Sequence, residues 1–130
     1  MDLENIRAFC LSLPHAGEKV QWGDDLVFKV GGKMFAVLVL EPKYSVRMSF
    51  KCTPEKFAEL TEREGIIPAP YSARYSWVAC EQFNTLEGAE LKALLRESYQ
   101  LVFEKLPKKA KAALEKPRAA KMSKSKGAKR

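Results

Sequence analysis

The chain has 130 residues, 46% apolar and 30% charged, with seven Phe, four Tyr and two Trp. That composition suits one soluble domain with its own core and disfavours a two-lobed enzyme with a cleft between lobes. The net charge is +7, no apolar run approaches the roughly 18 residues of a membrane span, and Asp2 and Glu4 stand where a secretory signal would be basic. A cytoplasmic protein without a membrane partner is therefore expected.

Leu3, Ile6, Cys10 and Leu13 recur at three- and four-residue spacing and Pro14 forbids continuation, which predicts a helix over 2–13. After a turn at His15, strands are predicted at 19–22, 26–30, 33–40 and 44–51. Gly23-Asp24-Asp25, Gly31-Gly32 and Glu41-Pro42-Lys43 separate them, and such residues suit hairpin connections because Gly and Asp tolerate positive φ. In the fourth strand Val46, Met48 and Phe50 alternate with Ser45, Arg47, Ser49 and Lys51, so one face should be packed and the other wet. Residues 34–40 are apolar throughout, as in a central strand covered on both faces for part of its length. Thr53, Pro54 and Glu55 then open a second helix, which Gly65 closes. A stiff connection over 66–71 leads to a strand over 74–80 carrying Tyr75 and Trp77. Thr85 is placed to cap a long helix over about 87–105, whose inner stripe is Leu91, Leu94, Leu95, Ser98, Leu101 and Val102. A short helical turn follows Pro107. The order α-β-β-β-β-α-β-α predicts an α+β two-layer sandwich, an antiparallel sheet with helices on one face.

The positive charge is unevenly spread. Residues 107–130 hold ten Lys/Arg against Glu115 alone, a net of +9, whereas residues 1–106 have 13 Lys/Arg against 15 Asp/Glu, a net of −2. Beyond Pro117 the only large apolar residue is Met122, too little to offset the entropy of ordering a chain. The expected organisation is a domain over 1–114 and a disordered basic tail over 115–130. Within the domain, segment 19–51 carries a net of +3 and the other segments −5, which predicts a basic sheet side and an acidic helical side.

A family pattern accompanies these elements: Leu13-Pro14, Trp22-Gly23, Phe28, Val30-Gly-Gly-Lys-Met-Phe-Ala36, Ser49-Phe-Lys51, Pro68-Ala-Pro-Tyr71, Trp77-Val78, Ser98-Tyr99 and Leu106-Pro107. In this order and spacing, over roughly residues 1–114, the chain resembles the MmcQ/YjbR family of small bacterial proteins. The resemblance implies a fold similar to frataxin-like and secretion-chaperone-like sandwiches. It also implies DNA binding through a "double wing" arrangement of hairpins, with no catalytic residues attached to it.

The charge pattern points the same way. Lys29, Arg47 and Lys51 are expected to project from the wet sheet face, Lys33 and Lys43 to sit at hairpin ends and Arg74 to open a strand, where each can contact phosphates. Lys108, Lys109, Lys111, Lys116, Arg118, Lys121 and Lys124 extend the candidate interface into the tail. No helix-turn-helix, zinc-finger or RNA-recognition signature accompanies them, so DNA, with RNA as the second candidate, would be bound with little sequence preference. Trp22 and Trp77 read as packing residues before stacking platforms.

Enzyme chemistry has little support in the residues. His15 is the only histidine, and Cys10, Cys52 and Cys80 are odd in number and far apart, which argues against disulfides and zinc. Helix one carries only Asp2 and Glu4, too few acids for an iron site, and Gly31-Gly32-Lys33 lacks the spacing and following hydroxyl of a phosphate loop. No cofactor is expected, and a monomer is. The rival reading is a protein–protein interaction module of chaperone-like fold with no nucleic-acid role. A third is a ligand-binding domain whose pocket lies between the long helix and the sheet.

Overall fold

Two hairpin turns and one buried hydroxyl fix most of the architecture. A computed structural model describes residues 1–40, 46–70 and 72–115. The expected tail lies outside them, apart from Glu115 at the end of the last helix. Helix α1 (Leu3–Ser12) is capped by Asp2, whose carboxylate accepts from the Asn5 backbone N–H at 2.8 Å, and it stops before Pro14. Strands β1 (Gly17–Gln21), β2 (Asp25–Val30) and β3 (Lys33–Val39) form a meander. Gly31 and Gly32 have φ of +58° and +82°, the left-handed pair that a two-residue primed turn requires. Gly31 is also needed for space, because a Cβ there would lie 2.6 Å from Cδ1 of Leu106.

Strand β4 (Met48–Lys51) leads into α2 (Pro54–Leu60), where the Thr53 hydroxyl accepts from the Lys56 N–H at 3.1 Å. Then come β5 (Ile66–Pro68), a 3₁₀ turn (Ala73–Tyr75), β6 (Trp77–Cys80), α3 (Gly88–Glu104) and α4 (Lys108–Glu115). The six strands lie in the order β1-β2-β3-β4-β6-β5, each neighbouring pair antiparallel. The fold is thus the expected α+β sandwich, with four local differences. The strand expected over 74–80 is regular only from Trp77, because Ala73–Tyr75 form a 3₁₀ turn and Ser76 is left-handed with φ of +65°. Residues 66–68 pair with β6 as an edge strand instead of merely connecting, which their Pro68 permits at an edge. The Thr85 hydroxyl accepts from the Gln82 N–H at 3.0 Å within a turn, so α3 begins later, after Glu87. β4 begins only at Met48, and Val46 packs on the face of the sheet opposite to Met48.

The helix-side core joins Ile6 and Cys10 of α1 to Leu91 and Leu95 of α3 across Phe28, Phe50 and Val78 of the sheet. A β-bulge between β2 and β3 leaves Phe35 as an extra residue, so Phe35 and Ala36 both enter this core and Met34 stands opposite Lys29. Ser98 of α3 is fully buried here. Its hydroxyl donates to the Phe35 carbonyl at 2.6 Å and accepts from the Lys51 N–H at 3.0 Å. Next to it, the Tyr99 hydroxyl donates to the Pro14 carbonyl and its ring meets Phe35 edge-on at 5.4 Å.

Removing the Ser98 hydroxyl leaves a buried carbonyl and a part-buried N–H without a partner, at about 1–3 kcal/mol for each such group. Ser98→Ala should therefore lower the urea unfolding midpoint by an amount equivalent to at least about 1 kcal/mol with no change in slope. An unchanged midpoint would show that the hydroxyl does not fasten α3 to the sheet.

Candidate functional site

The face of the sheet turned away from the helices was expected to be wet, and it is not. Val27, Val37, Val46, Ala69, Trp77 and Ala79 form a second buried cluster there, with Met34 and Ile67 packed against it. Two local features bring this about. The bend before β4 turns Val46 onto this face, and Ala69, one residue past β5, continues the pairing with β6, its N–H donating to the Trp77 carbonyl at 3.0 Å. What remains open is a cleft of about 450 Å³ whose floor is Val37, Val39 and Ala79. Trp77 is 6% exposed, as a packing residue should be, whereas Trp22 in the β1–β2 turn is 58% exposed on the rim. This cleft lies on the side of the sheet opposite to α3, not between that helix and the sheet.

Charge is segregated along the strands instead of between the two faces. β2 and β4 run toward the Gly31-Gly32 turn, and β6 and β3 run away from it. Lys29, Lys33 and Lys51 therefore occupy one end of the sheet. Leu106 seats on Gly31, which brings Lys105 and the start of α4, with Lys108 and Lys109, to the same end. The Lys51 ammonium donates to the Tyr75 carbonyl at 2.7 Å, and the Arg74 guanidinium lies 4.9 Å from the centre of the Tyr75 ring. Lys111 lies 5.9 Å from the Phe103 ring. Among the described residues none of these cations is in an ion pair, although Glu55 and Glu104 share this end; Arg7 and Glu18 pair with each other at 2.6 Å.

The opposite end carries Asp24 and Asp25 of the β1–β2 turn, Glu81 and Glu87 before α3, and the Arg63 network with Glu59 and Glu90. Arg47 belongs to that end. Its guanidinium lies over the Phe83 ring at 4.9 Å, and it does not share a face with Lys29 and Lys51 because the regular strand begins only after it. Of the cations named from sequence, Lys29, Lys33, Lys51, Arg74, Lys108, Lys109 and Lys111 come together. Arg47 does not, and Lys43, Lys116, Arg118, Lys121 and Lys124 lie outside the described residues. Lys105 escaped the sequence reading because it ends a helix whose periodicity marks only the inner stripe.

The YjbR family model matches residues 11–101. The chain belongs to the YjbR family. Its fold is similar to that of a Deinococcus radiodurans protein with a DUF419 domain, at 30% identity and a TM-score of 0.76 over 98% of this chain and 95% of that one. A Pseudomonas syringae protein shares the fold at 21% identity and a TM-score of 0.66, over 78% of this chain and 99% of that one. No curated protein matches the sequence. For this YjbR protein, family membership supplies the fold, and chemistry has to come from the residues.

Burial pushes the Cys10 and Cys80 thiols up to about 12 and Cys52 to about 11, so none is a thiolate at neutral pH. No group of three or more His, Cys, Asp or Glu among the described residues is placed to hold a metal ion, and no described helix is long and apolar enough to cross a membrane. Lys51 is the perturbed cation of the basic end. Partial burial first, and repulsion from Lys105 second, hold its pKa below the ordinary lysine value.

That second cause makes the proximity measurable. Lys105→Ala should raise the titration midpoint of Lys51, followed by NMR of labelled lysine side chains, while Arg47→Ala at the far end leaves it in place. If Lys105→Ala has no effect, the two ammonium groups are not neighbours.

Proposed function

We propose that this YjbR protein binds nucleic acid, DNA being the expected ligand, as a non-enzymatic cytoplasmic monomer of low sequence specificity. The observation that carries the reading is the gathering of Lys29, Lys33, Lys51, Arg74, Lys105, Lys108 and Lys109 at one end without ion-pair partners among the described residues. Cations paired with carboxylates are already neutralised, whereas unpaired ones release condensed counterions when they meet phosphates. The C-terminal segment, whose helix α4 starts at this same end, adds Lys116, Arg118, Lys121 and Lys124 in sequence. Hairpin turns and a helix start supply phosphate contacts but no helix aimed at a major groove, which favours positioning over base readout.

A second reading, as a protein-interaction module, is favoured by strand β1. It is an edge strand whose outer hydrogen-bonding row pairs with no other strand among the described residues, and Val20 on it is 55% exposed.

Duplex binding measured across a salt series separates the two. Each phosphate contact contributes about −0.9 to the slope of log K against log salt. Replacing Lys33, Lys108 and Lys109 together by Ala should therefore flatten the slope by about 3, while Arg47→Ala changes nothing. An unchanged slope in the triple variant would leave only the C-terminal polycation as the binding element. No binding by the full chain at low salt would favour the protein-interaction reading.

A further inference from the structure

The cleft on the outer face of the sheet runs from Trp22 and Asp25 to Met34 and Trp77, which pair across the strands with cations of the basic end. Lys29 is the cross-strand partner of Met34, and Lys51 is the cross-strand partner of Trp77; Met34 and Trp77 both line the cleft. Directly opposed residues in an antiparallel pair lie on one face with Cβ atoms about 5 Å apart. Lys29 and Lys51 are therefore rooted on this face beside one end of an apolar slot, the Lys51 ammonium resting on the Tyr75 carbonyl. At the other end stand the Trp22 indole and the Asp25 carboxylate, and Ser49 and Ser72 supply hydroxyls between. The slot is thus graded from cationic to anionic along its length. A ligand that fits has a flat apolar body and a negative group on one side of it only.

We propose that the cleft receives an unstacked base of single-stranded nucleic acid, with the adjoining phosphates held by Lys29, Lys51 and Arg74. The inference rests on the nucleic-acid reading above and narrows it to a strand form. About 450 Å³ lies within the range of roughly 300–1,000 Å³ usual for small-ligand sites and accommodates a base with space to spare. A base offers a π-face to Trp22 and the apolar floor irrespective of its sequence, which agrees with the missing instrument for duplex readout. Its phosphates lie toward Lys29 and Lys51 because Asp25 repels them from the far end. A duplex keeps its bases stacked and cannot fill the slot.

The test uses the full chain and three fluorescent probes with equal numbers of phosphates: a mixed-sequence single strand, the same strand with abasic sites, and a duplex. The single strand should bind at least about fivefold more tightly than the abasic strand, the low end of what one stacked base contributes. Tryptophan emission should fall on binding. Trp22→Ala, on an exposed residue, should remove most of that advantage and leave abasic binding as it was. Ser49→Leu, which adds bulk at a residue lining the slot, should do the same, with thermal melting to confirm that the sheet is intact. If all three probes bind alike and keep their salt slope, the basic end binds phosphates and the cleft takes no base, so this inference falls while the nucleic-acid reading stands. If no probe binds at low salt, both fall. If a long-chain or aromatic carboxylate quenches tryptophan emission and no oligonucleotide does, the cleft belongs to a small amphipathic anion, and the inference is overturned.

Discussion

The Ser98 hydroxyl holds together the parts on which the rest depends. It is the one polar side chain among the fully buried described residues, and both of its hydrogen bonds go to backbone atoms of the sheet, on β3 and β4. A hydrophobic face alone would let α3 slide by small steps over the sheet, because dispersion and burial are not directional. A buried hydroxyl with two fixed partners is satisfied in one position only. That position pins the Phe35 bulge and the end of β4, and through them the registers that put Lys29 beside Met34 and Lys51 beside Trp77. The placing of the basic end therefore begins with a polar contact inside the core.

The segregation of charge toward the ends has a solvation origin. Val27, Val37 and Ala79 are buried on one face of the sheet, while Phe28, Leu38 and Val78 are buried on the other. A lysine in the middle of either face would lose its hydration without a partner, which costs far more than a surface ion pair returns. Charged residues on these strands are consequently confined to strand ends and turns. Hairpin topology then sorts them, because the Gly31-Gly32 turn, the last residue of β4 and the end of α3 all arrive at the same side. An end-to-end dipole is what remains when both faces of a short sheet are kept dry.

Much of this was legible in the sequence, and the parts that were not share a cause. The Gly31-Gly32 turn, the Thr53 cap and the inner stripe of α3 depend on near neighbours, and local chemistry announces them. Ser98 was visible as a member of that stripe, but its partners are 47 and 63 residues away in sequence. Arg47 lies in other surroundings than alternation through 44–51 implies, because the regular strand begins at Met48. The same alternation implies Val46 beside Met48 and a wet outer face, whereas the two residues belong to different buried clusters. Ser49 and Lys51 are indeed on that face, yet the cluster around Trp77 forms from four strands and the chain after β5, a juxtaposition that no single strand encodes. The candidate site was thus legible as a set of cations and illegible as a place.

That distinction bears on what a basic C-terminal segment contributes. Attached to a body of uniform charge, a polycation would bring nucleic acid to the surface with no preferred orientation. Here the cationic chain leaves from a body whose one end is basic and whose other end carries Asp24, Asp25, Glu81 and Glu87. The field of such a body attracts a polyanion to one side and repels it from the other, and the effect weakens with salt as the Debye length shrinks to about 8 Å at physiological strength. On the proposed reading the tail supplies encounter and most of the salt dependence, and the folded end supplies direction. On that same reading, a strand captured by the tail would meet the end of the cleft lined by Met34 and Trp77, beside Lys29 and Lys51.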